Sequence, residues 1–350
     1  MSKSVYTSAS MIIPSKLSGA LYGHAIGDAL GYPVEFLSVP EILQRFGREG
    51  VLQPKGNPIL VSDDTQMSIA VGKALMDCWE IEEDITATDL SRYIRKYFIE
   101  WMLSPDNNRA PGNTCMWACR NLQHSMTWQE ATHRTSKGCG ANMRVIPVAL
   151  FKYIHPSITH TEVAKWAQLQ AAMTHGHPTA LAAADLTAMA VVKLLEGTSP
   201  EQLLKELVIY GESQIGVYHE DYLGSLWEGM KSSPAAFIRQ GWEECLEILV
   251  LTQIALMRTG PEHDPCEIIG EGWIAEETLG TALLCFLHSP RNPLKALQQA
   301  AISTGDSDSI ACITGALCGA YMGIEAFPED WRNRIEYKNE LDTFLGFLGL

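Results

Sequence analysis

Apolar residues recur every three to four positions along most of this chain, the spacing that places them on one face of an α-helix. Residues 178–196 form the clearest pattern, which starts with proline and stops at a glycine, as helices prefer. Similar patterns predict helices at residues 17–30, 66–79, 87–103, 161–173, 200–210, 235–257, 273–288, 292–302 and 309–323. Neither a series of alternating strands nor a linker interrupts them. The pattern therefore predicts one all-α domain.

Glycine recurs every fourth residue in the first predicted helix, at Gly19, Gly23, Gly27 and Gly31. Each glycine costs a helix about 1 kcal/mol relative to alanine, so the stripe is tolerable where another backbone packs closely against it. We therefore expect this helix to lie at the centre of the bundle. Pro33 should end the helix and leave Glu35 on a loop.

Two short acidic clusters lie far apart in the chain, at residues 62–65 (Ser-Asp-Asp-Thr) and 306–309 (Asp-Ser-Asp-Ser). If the fold brings them together, their four carboxylates need countercharge, and an oxygen-only ligand set suits hard divalent cations. Helix N-capping is the alternative for either cluster alone, because Ser, Asp and Thr accept hydrogen bonds from free amides. Capping and metal binding are compatible. Together the clusters predict a two-metal, oxygen-lined hydrolytic site.

The chain is acidic overall, with a formal net charge of −15 and a pI near 5.1. Without a Lys/Arg-rich run, this balance argues against nucleic acid as a partner. The sequence shows no basic leader before a long apolar run, and no charge-free stretch of transmembrane length. The nine cysteines lack zinc-site spacing. We therefore expect a cytoplasmic protein with reduced thiols and no membrane contact.

Five sequence blocks, in this order, resemble the ADP-ribosylglycohydrolase family, which includes the dinitrogenase-reductase-activating glycohydrolase and the ADP-ribosylarginine and ADP-ribosylserine hydrolases. The blocks are residues 19–31 with Glu35, residues 62–65, residues 112–114 (Gly-Asn-Thr), residues 138–144 (Gly-Cys-Gly-Ala-Asn-Met-Arg) and residues 304–309 (Thr-Gly-Asp-Ser-Asp-Ser). The resemblance implies an all-α, single compact orthogonal helical bundle with a central dinuclear metal cleft. We assign that domain to residues 17–350, after an N-terminal extension of residues 1–16.

The resemblance also implies which residues build the cleft. Two divalent cations, Mg²⁺ or Mn²⁺, would be held by Ser62, Asp63, Asp64, Asp306, Asp308 and Ser309. Glu35 would be the ionised general base that orients or deprotonates the attacking water; a solvated loop glutamate is the alternative. The residues expected to contact ADP-ribose are Asn113, Gly138, Gly140, Asn142, Arg144 and His175.

The glycine-rich block at residues 138–144 has two readings. Its glycines would let backbone amides approach the pyrophosphate, at the start of a helix that begins with Met143 and Arg144. Alternatively, the block is a helix cap, and Arg144 pairs internally with Asp28. His175 is likewise either a ligand contact or a structural histidine, and Asp28 is expected to hold a loop amide or an arginine.

Two regions depart from the family pattern. Some members carry an acidic residue just before Gly-Asn-Thr, where this chain has residues 109–111 (Arg-Ala-Pro) and Asp106 slightly earlier. This departure moves the predicted base to Glu35. The segment from about 205 to 275, which contains Trp227, Trp242 and Trp273, shows the least resemblance and is our candidate for recognition of a substrate protein.

The implied function is metal-dependent removal of ADP-ribose from a modified protein side chain, with arginine preferred because an acidic cleft suits a guanidinium. Serine-linked or other O-linked ADP-ribose is the alternative substrate. A nucleotide phosphohydrolase would need basic groups that the sequence does not cluster. A protein that binds and neutralises an ADP-ribosyltransferase toxin is the alternative from another class; the six intact metal ligands favour catalysis. We expect a monomer whose partners are ADP-ribose and an ADP-ribosylated protein.

Overall fold

The computed structural model describes residues 4–81, 85–124 and 126–350. In these residues it contains α-helices, three short 3-10 turns and isolated bridges rather than a sheet, which confirms the all-α prediction. The helices are α1 Ser4–Gly31, α2 Val39–Phe46, α3 Asp63–Ile81, α4 Ala87–Leu103, α5 Asn113–Gln123, α6 Trp128–Ala131, α7 Ile146–Phe151, α8 His160–Ala172, α9 Pro178–Leu195, α10 Pro200–Gln214, α11 Glu220–Leu223, α12 Pro234–Arg258, α13 Cys266–Ile269, α14 Ala275–His288, α15 Pro293–Ala301, α16 Ser307–Met322, α17 Glu329–Arg334 and α18 Lys338–Phe347.

The predicted helices are present, and the differences lie at their ends. Helix α1 runs through Pro14, so the expected start at residue 17 was wrong and the helix crosses the boundary proposed after residue 16. Helices α3 and α16 begin at their acidic clusters, because carboxylates stabilise the positive end of a helix. The helix expected at Met143 begins later, at Ile146.

The glycine stripe of α1 packs directly on the backbone of α16, as expected, and the two helices are antiparallel. Gly23 faces Gly315, and Gly27 faces Ala311. A Cβ atom added to Gly27 would lie 2.0 Å from the Ala311 carbonyl oxygen, so no side chain fits between the helices. At the end of the contact, Gly31 meets Ser307. The C-terminal end of α1 is therefore held against the N-terminal end of α16, where the second acidic cluster lies.

Helix α9 is the buried core helix of the fold. By length and composition it could cross a membrane, but 94% of it is buried inside the protein, where it packs on α8 and α12. Its one buried carboxylate, Asp185, accepts hydrogen bonds from Gln168 Nε2 and the Tyr210 hydroxyl, both at 2.8 Å. Because both hydrogen bonds to this buried carboxylate come from the protein, α9 can lie in the core without leaving this carboxylate unpaired.

Replacing Gly27 by alanine should lower the free energy of unfolding by about 3 kcal/mol, the upper end for overpacking, because the clash is with backbone that cannot rotate away. Chemical denaturation measures this change. The matched control is Gly346→Ala in α18, where an added Cβ meets nothing within 4 Å. That variant should be neutral or more stable by about 0.5–1 kcal/mol. Equal midpoints for both variants would contradict the close packing of α1 and α16.

Candidate active site

Asp28, in α1, ties the first acidic cluster to the end of that helix. Its buried carboxylate accepts hydrogen bonds from the Ser62 amide (2.9 Å), the Thr65 amide (3.1 Å) and the Thr65 hydroxyl (2.5 Å). Burial and the charge of Asp308 raise the pKa of Asp28 to about 7, against these donors. Asp28 therefore holds a loop amide, as expected, and fixes the start of α3 beside the end of α1.

The second cluster reaches the same place through α16. The Ser307 hydroxyl donates to the Gly31 carbonyl oxygen at 3.0 Å. Asp306 is the N-cap of α16, since its side chain accepts from the Ser309 amide. Its own amide donates to the Glu271 carbonyl oxygen at 2.7 Å. Asp306 therefore caps the helix and also lines a cavity, so helix capping and a place in the cleft are compatible.

Five carboxylates from three parts of the chain line one cavity of about 280 Å³: Glu35, Asp63, Asp64, Asp306 and Asp308. Oxygen atoms of Glu35, Asp306 and Asp308 all lie within 4.8 Å of one another. Ser309 also lines the cavity, whereas Ser62 is fully buried and its hydroxyl oxygen accepts from the Asp64 amide at 3.3 Å. The fold therefore brings five of the six predicted metal ligands to the cavity together with Glu35, and Ser62 does not line it.

The charge of this locus is not balanced by the protein. Burial, then the neighbouring carboxylate of Asp308, raises the pKa of Asp63 and of Asp64 well above its ordinary value. Burial and Asp306 do the same to Asp308. None of the described residues lining the cavity is a lysine or arginine. A buried, oxygen-only, uncompensated acidic set fits hard divalent cations, and these residues would hold them.

Glu35 lies on the loop after α1, following the short turn Tyr32–Val34, which confirms the prediction from Pro33. It is half-buried and lines the cavity, so it is not a solvated loop glutamate. Burial and then the charges of Asp308 and Asp306 raise its pKa to about 10. This direction favours the neutral acid in the metal-free chain, whereas the ionised base was predicted beside a metal pair and stays a prediction. Cations in the cluster would reverse the local field and favour the carboxylate.

The loop of residues 138–144 borders the acidic cluster, but its glycines serve a purpose that the sequence did not indicate. A Cβ on Gly140 would lie 2.7 Å from Cys115 Sγ and 2.9 Å from His175 Cε1. Gly138 would similarly contact His175. The Cys139 amide already donates to the Trp273 carbonyl oxygen at 3.1 Å. Both glycines line the cavity, and the missing side chains admit His175 to its wall.

The structure does not bring the side chains of Asn142 and Arg144 to the cavity. Asn142 is buried, and its Nδ2 donates to the Ala275 carbonyl oxygen at 3.1 Å. Arg144 is fully buried over the Phe98 ring, and donates through Nε to Gln170 Oε1 at 2.8 Å rather than to Asp28. These side chains support the loop from behind, because buried polar groups need internal partners.

Arg144 instead reaches the cavity through Thr174 and His175. Its Nη2 donates to the Thr174 hydroxyl oxygen at 2.7 Å, and that hydroxyl lies 2.8 Å from His175 Nδ1. Arginine can only donate, so the Thr174 oxygen accepts from Arg144, and either Thr174 or Nδ1 can be the donor of the bond between them. Burial and Arg144 lower the pKa of His175 well below its ordinary value. His175 therefore presents a neutral ring to the cavity.

The Gly-Asn-Thr block forms another part of the cavity wall, at the start of α5. The Gly112 amide donates to Asp63 Oδ2 at 3.2 Å, and Asn113 lines the cavity beside it. Among the described residues, no acid of the preceding loop lines the cavity, since Asp106 instead accepts from the Tyr337 hydroxyl. Arg109, also in that loop, pairs with Glu336. This arrangement leaves Glu35 as the base candidate.

Sequence reasoning missed four side chains at the site. Cys139 Sγ lies 2.7 Å from Asp306 Oδ2, and Cys312 Sγ lies 3.3 Å from Asp64 Oδ2. Phe36 and Trp273 line the cavity as well. The position of Cys139 between two loop glycines, and of Phe36 next to Glu35, could have indicated two of them. Nothing local marked Cys312, and Trp273 was named as one of three tryptophans in the segment proposed for recognition of a substrate protein, without a place in the cavity.

Comparison with known proteins gives consistent results. The ADP-ribosylglycohydrolase family model matches residues 9–348. The chain is 26% identical to the ADP-ribosyl-(dinitrogen reductase) glycohydrolase of Rhodospirillum rubrum, over 95% of this chain and 96% of that protein. It is 27% identical to human ADP-ribosylhydrolase ARH3, over 94% and 91%. A solved structure titled "ADP-ribosylglycohydrolase-related protein complex" superposes with a TM-score of 0.67 at 21% identity, covering 96% of this chain and 97% of that chain, which shows a shared fold.

Proposed function

The chain belongs to the ADP-ribosylglycohydrolase family, and on that basis we propose that it removes ADP-ribose from arginine side chains of modified proteins, using two Mg²⁺ or Mn²⁺ ions. The observation that carries this proposal is the convergence of five carboxylates, four of them buried, on one cavity whose described lining holds no lysine or arginine. A cluster of this charge is costly to fold unless it binds something positive. Membership of a glycohydrolase family supports hydrolysis of a glycosidic bond to ADP-ribose.

Two parts of the cavity lining suit two parts of the substrate. The neutral His175 ring and the loop of residues 138–144 form an uncharged part of the wall, which suits the phosphate oxygens or the distal ribose of ADP-ribose. The carboxylates suit the hydroxyls of the ribose that carries the protein side chain. Bound cations would offset most of the negative charge of this cluster and activate a water for attack.

In this reaction Glu35 would accept a proton from the attacking water at a carboxylate oxygen. The water oxygen bonds to the anomeric carbon, the bond from that carbon to the guanidinium nitrogen breaks, and the leaving nitrogen takes a proton from solvent, to which Glu35 returns the proton that it accepted. The products are free ADP-ribose and unmodified arginine. General-base assistance of this kind typically contributes about 10²–10⁴ in rate.

The arginine linkage is proposed on charge. The five carboxylates of the cavity carry more negative charge than two divalent cations would offset, and the described lining contains no lysine or arginine that would repel a guanidinium. A serine hydroxyl as leaving group carries no charge and would gain nothing from this environment. Serine-linked ADP-ribose is therefore the competing substrate to test directly.

We expect purified protein with Mn²⁺ or Mg²⁺ to release free ADP-ribose from an arginine-linked ADP-ribosyl peptide, and release to stop with a chelator. Chromatography of free ADP-ribose against time measures the rate, with the matching serine-linked peptide assayed in parallel. Faster release from the serine linkage would contradict the proposed linkage. ADP-ribose binding without release from either peptide would instead favour a binding protein.

A further inference from the structure

An exposed aromatic pair lies at the mouth of the acidic cavity. The rings of Phe36 and Trp273 stack with centroids 5.7 Å apart and planes inclined by 13°. Phe36 is 67% exposed and Trp273 is 38% exposed, and both line the cavity. Large aromatic surface left open beside a buried charged site is unusual for a soluble protein and marks a contact surface.

The two rings come from distant segments of the chain and are held there by the site itself. Phe36 directly follows Glu35, and its backbone has a φ of 69°, a conformation that persists where the surroundings enforce it. Trp273 is fixed at two points, since its Nε1 donates to Glu271 Oε2 at 2.9 Å and its carbonyl oxygen accepts from the Cys139 amide. The carbonyl oxygen of Glu271, two residues earlier, accepts from the Asp306 amide. The Trp273 segment therefore bridges the acidic cluster and the glycine loop.

Trp273 also differs from the other tryptophans of the segment that least resembles the family. Trp242 is fully buried in the core, and Trp227 is half-buried and absent from the cavity lining. Among the described residues of that segment, Trp273 is the tryptophan that reaches the site.

The surroundings of the pair select for a planar cation. Glu35 directly precedes Phe36 and lines the cavity with it, and the carboxylate of Glu271 accepts from the ring N–H of Trp273, while Asp306 and Asp308 line the same cavity. A guanidinium stacks on aromatic faces and is attracted by ring and carboxylate together. A serine side chain has neither the plane nor the charge.

We propose that Phe36 and Trp273 form the platform on which the guanidinium of the ADP-ribosylated arginine stacks, and that Trp273 sets the preference for arginine over serine linkage. This inference rests on the proposed function and adds to it the residues that recognise the leaving arginine side chain. The platform contacts the leaving side chain and not ADP-ribose itself, so product binding does not depend on it.

The test compares wild type with Trp273→Ala, Trp273→Phe and Phe36→Ala on arginine-linked and serine-linked ADP-ribosyl peptides, with ADP-ribose affinity measured by calorimetry. Trp273→Ala should lower kcat/KM for the arginine linkage by about tenfold or more, mainly through KM, as expected for loss of a partly desolvated cation–π contact. Its serine-linked rate and its ADP-ribose affinity should stay within about twofold of wild type. Trp273→Phe keeps a ring and should restore most of the loss.

A control variant, Met257→Ala, removes a large apolar side chain that is 73% exposed on α12, outside the cavity lining, and should change none of these values. Unchanged arginine-linked turnover in both Trp273→Ala and Phe36→Ala would overturn the platform while leaving the proposed function intact. Equal loss on both linkages would also overturn it. Wild type that prefers the serine linkage, or releases from neither, would instead overturn the proposed function and the platform with it. Because Phe36 is mostly exposed, Phe36→Ala tests the platform even if Trp273→Ala fails to fold.

Discussion

Replacing Asp308 by asparagine should abolish release of ADP-ribose and weaken binding of Mn²⁺ or Mg²⁺. Asp308 is central to the cluster: its charge contributes to the raised pKa values of Glu35, Asp63 and Asp64. Asparagine keeps the shape of the side chain and removes its charge, so bound cations would lose a carboxylate ligand that lies close to Glu35, Asp63 and Asp64. The affinity loss should exceed the roughly 10–100-fold that follows from losing a hydrogen-bond partner of a metal ligand.

The same substitution should have the opposite effect on the metal-free protein. Without cations, the buried carboxylates repel one another, and removing one relieves that repulsion. We therefore expect the melting temperature of Asp308→Asn with chelator to equal or exceed that of wild type. Added Mn²⁺ should raise the melting temperature of wild type and not that of the variant, because ligands stabilise the state that binds them.

Asp221→Asn is the matched control. Asp221 is 56% exposed and pairs with Lys165 on the surface, so its loss should leave turnover, metal affinity and the Mn²⁺-induced shift unchanged. Calorimetric metal titration and thermal melts of the three proteins give the comparison. Wild-type turnover or an unchanged metal isotherm in Asp308→Asn would refute the two-metal site.

The sequence was sufficient to predict the parts of the fold that depend on local chemistry. The glycine stripe predicted a backbone contact, since four glycines in a helix need a compensating neighbour, and Gly27 indeed meets the Ala311 carbonyl. The two acidic clusters predicted convergence, since their charges need a common cation. The sequence did not indicate which elements pack together: no residue of α1 identifies α16 as the helix against which it packs.

Side-chain direction within a motif was not predictable from the motif. Asn142 and Arg144 belong to the same block as Gly138, yet they point away from the cavity into the protein. The block bends into a short turn and α7 starts at Ile146, so consecutive residues face different ways. A resemblance identifies a segment, and its backbone geometry decides which of its side chains can touch a ligand.

Contacts between residues far apart in the sequence were also not predictable from the sequence. Phe36 and Trp273 lie far apart in sequence, and neither carries a charge or spacing that would pair it with the other. Their stacking follows from the packing of α1 on α16 and from the loop before α14, which is a property of the whole fold. Phe36 and Trp273, which we propose to recognise the substrate guanidinium, are thus residues whose contacts neither hydrophobic periodicity nor a motif predicts.

Glu35→Gln should lower kcat for ADP-ribose release by about 10²–10⁴ while leaving ADP-ribose affinity within a few-fold of wild type, because a general base acts on the attacking water and not on the bound ligand. Single-turnover release and calorimetry measure the two quantities. Glu35→Asp, which keeps the charge and shortens the reach, is the companion variant and should retain more activity than Glu35→Gln.

The metal titration of Glu35→Gln decides between two roles that the geometry allows. The Glu35 oxygen lies within 4.8 Å of oxygens of Asp306 and Asp308, close enough for a shared cation as well as for a water between them. If Glu35 is the base, its removal should reduce metal affinity far less than Asp308→Asn does. An equal reduction would make it a metal ligand, and a matching fall in ADP-ribose affinity would make it structural. In the first outcome, the raised pKa of Glu35 in the metal-free chain would mean that the carboxylate becomes a base when cations fill the cluster, and substrate hydrolysis and metal occupancy would be coupled through one side chain.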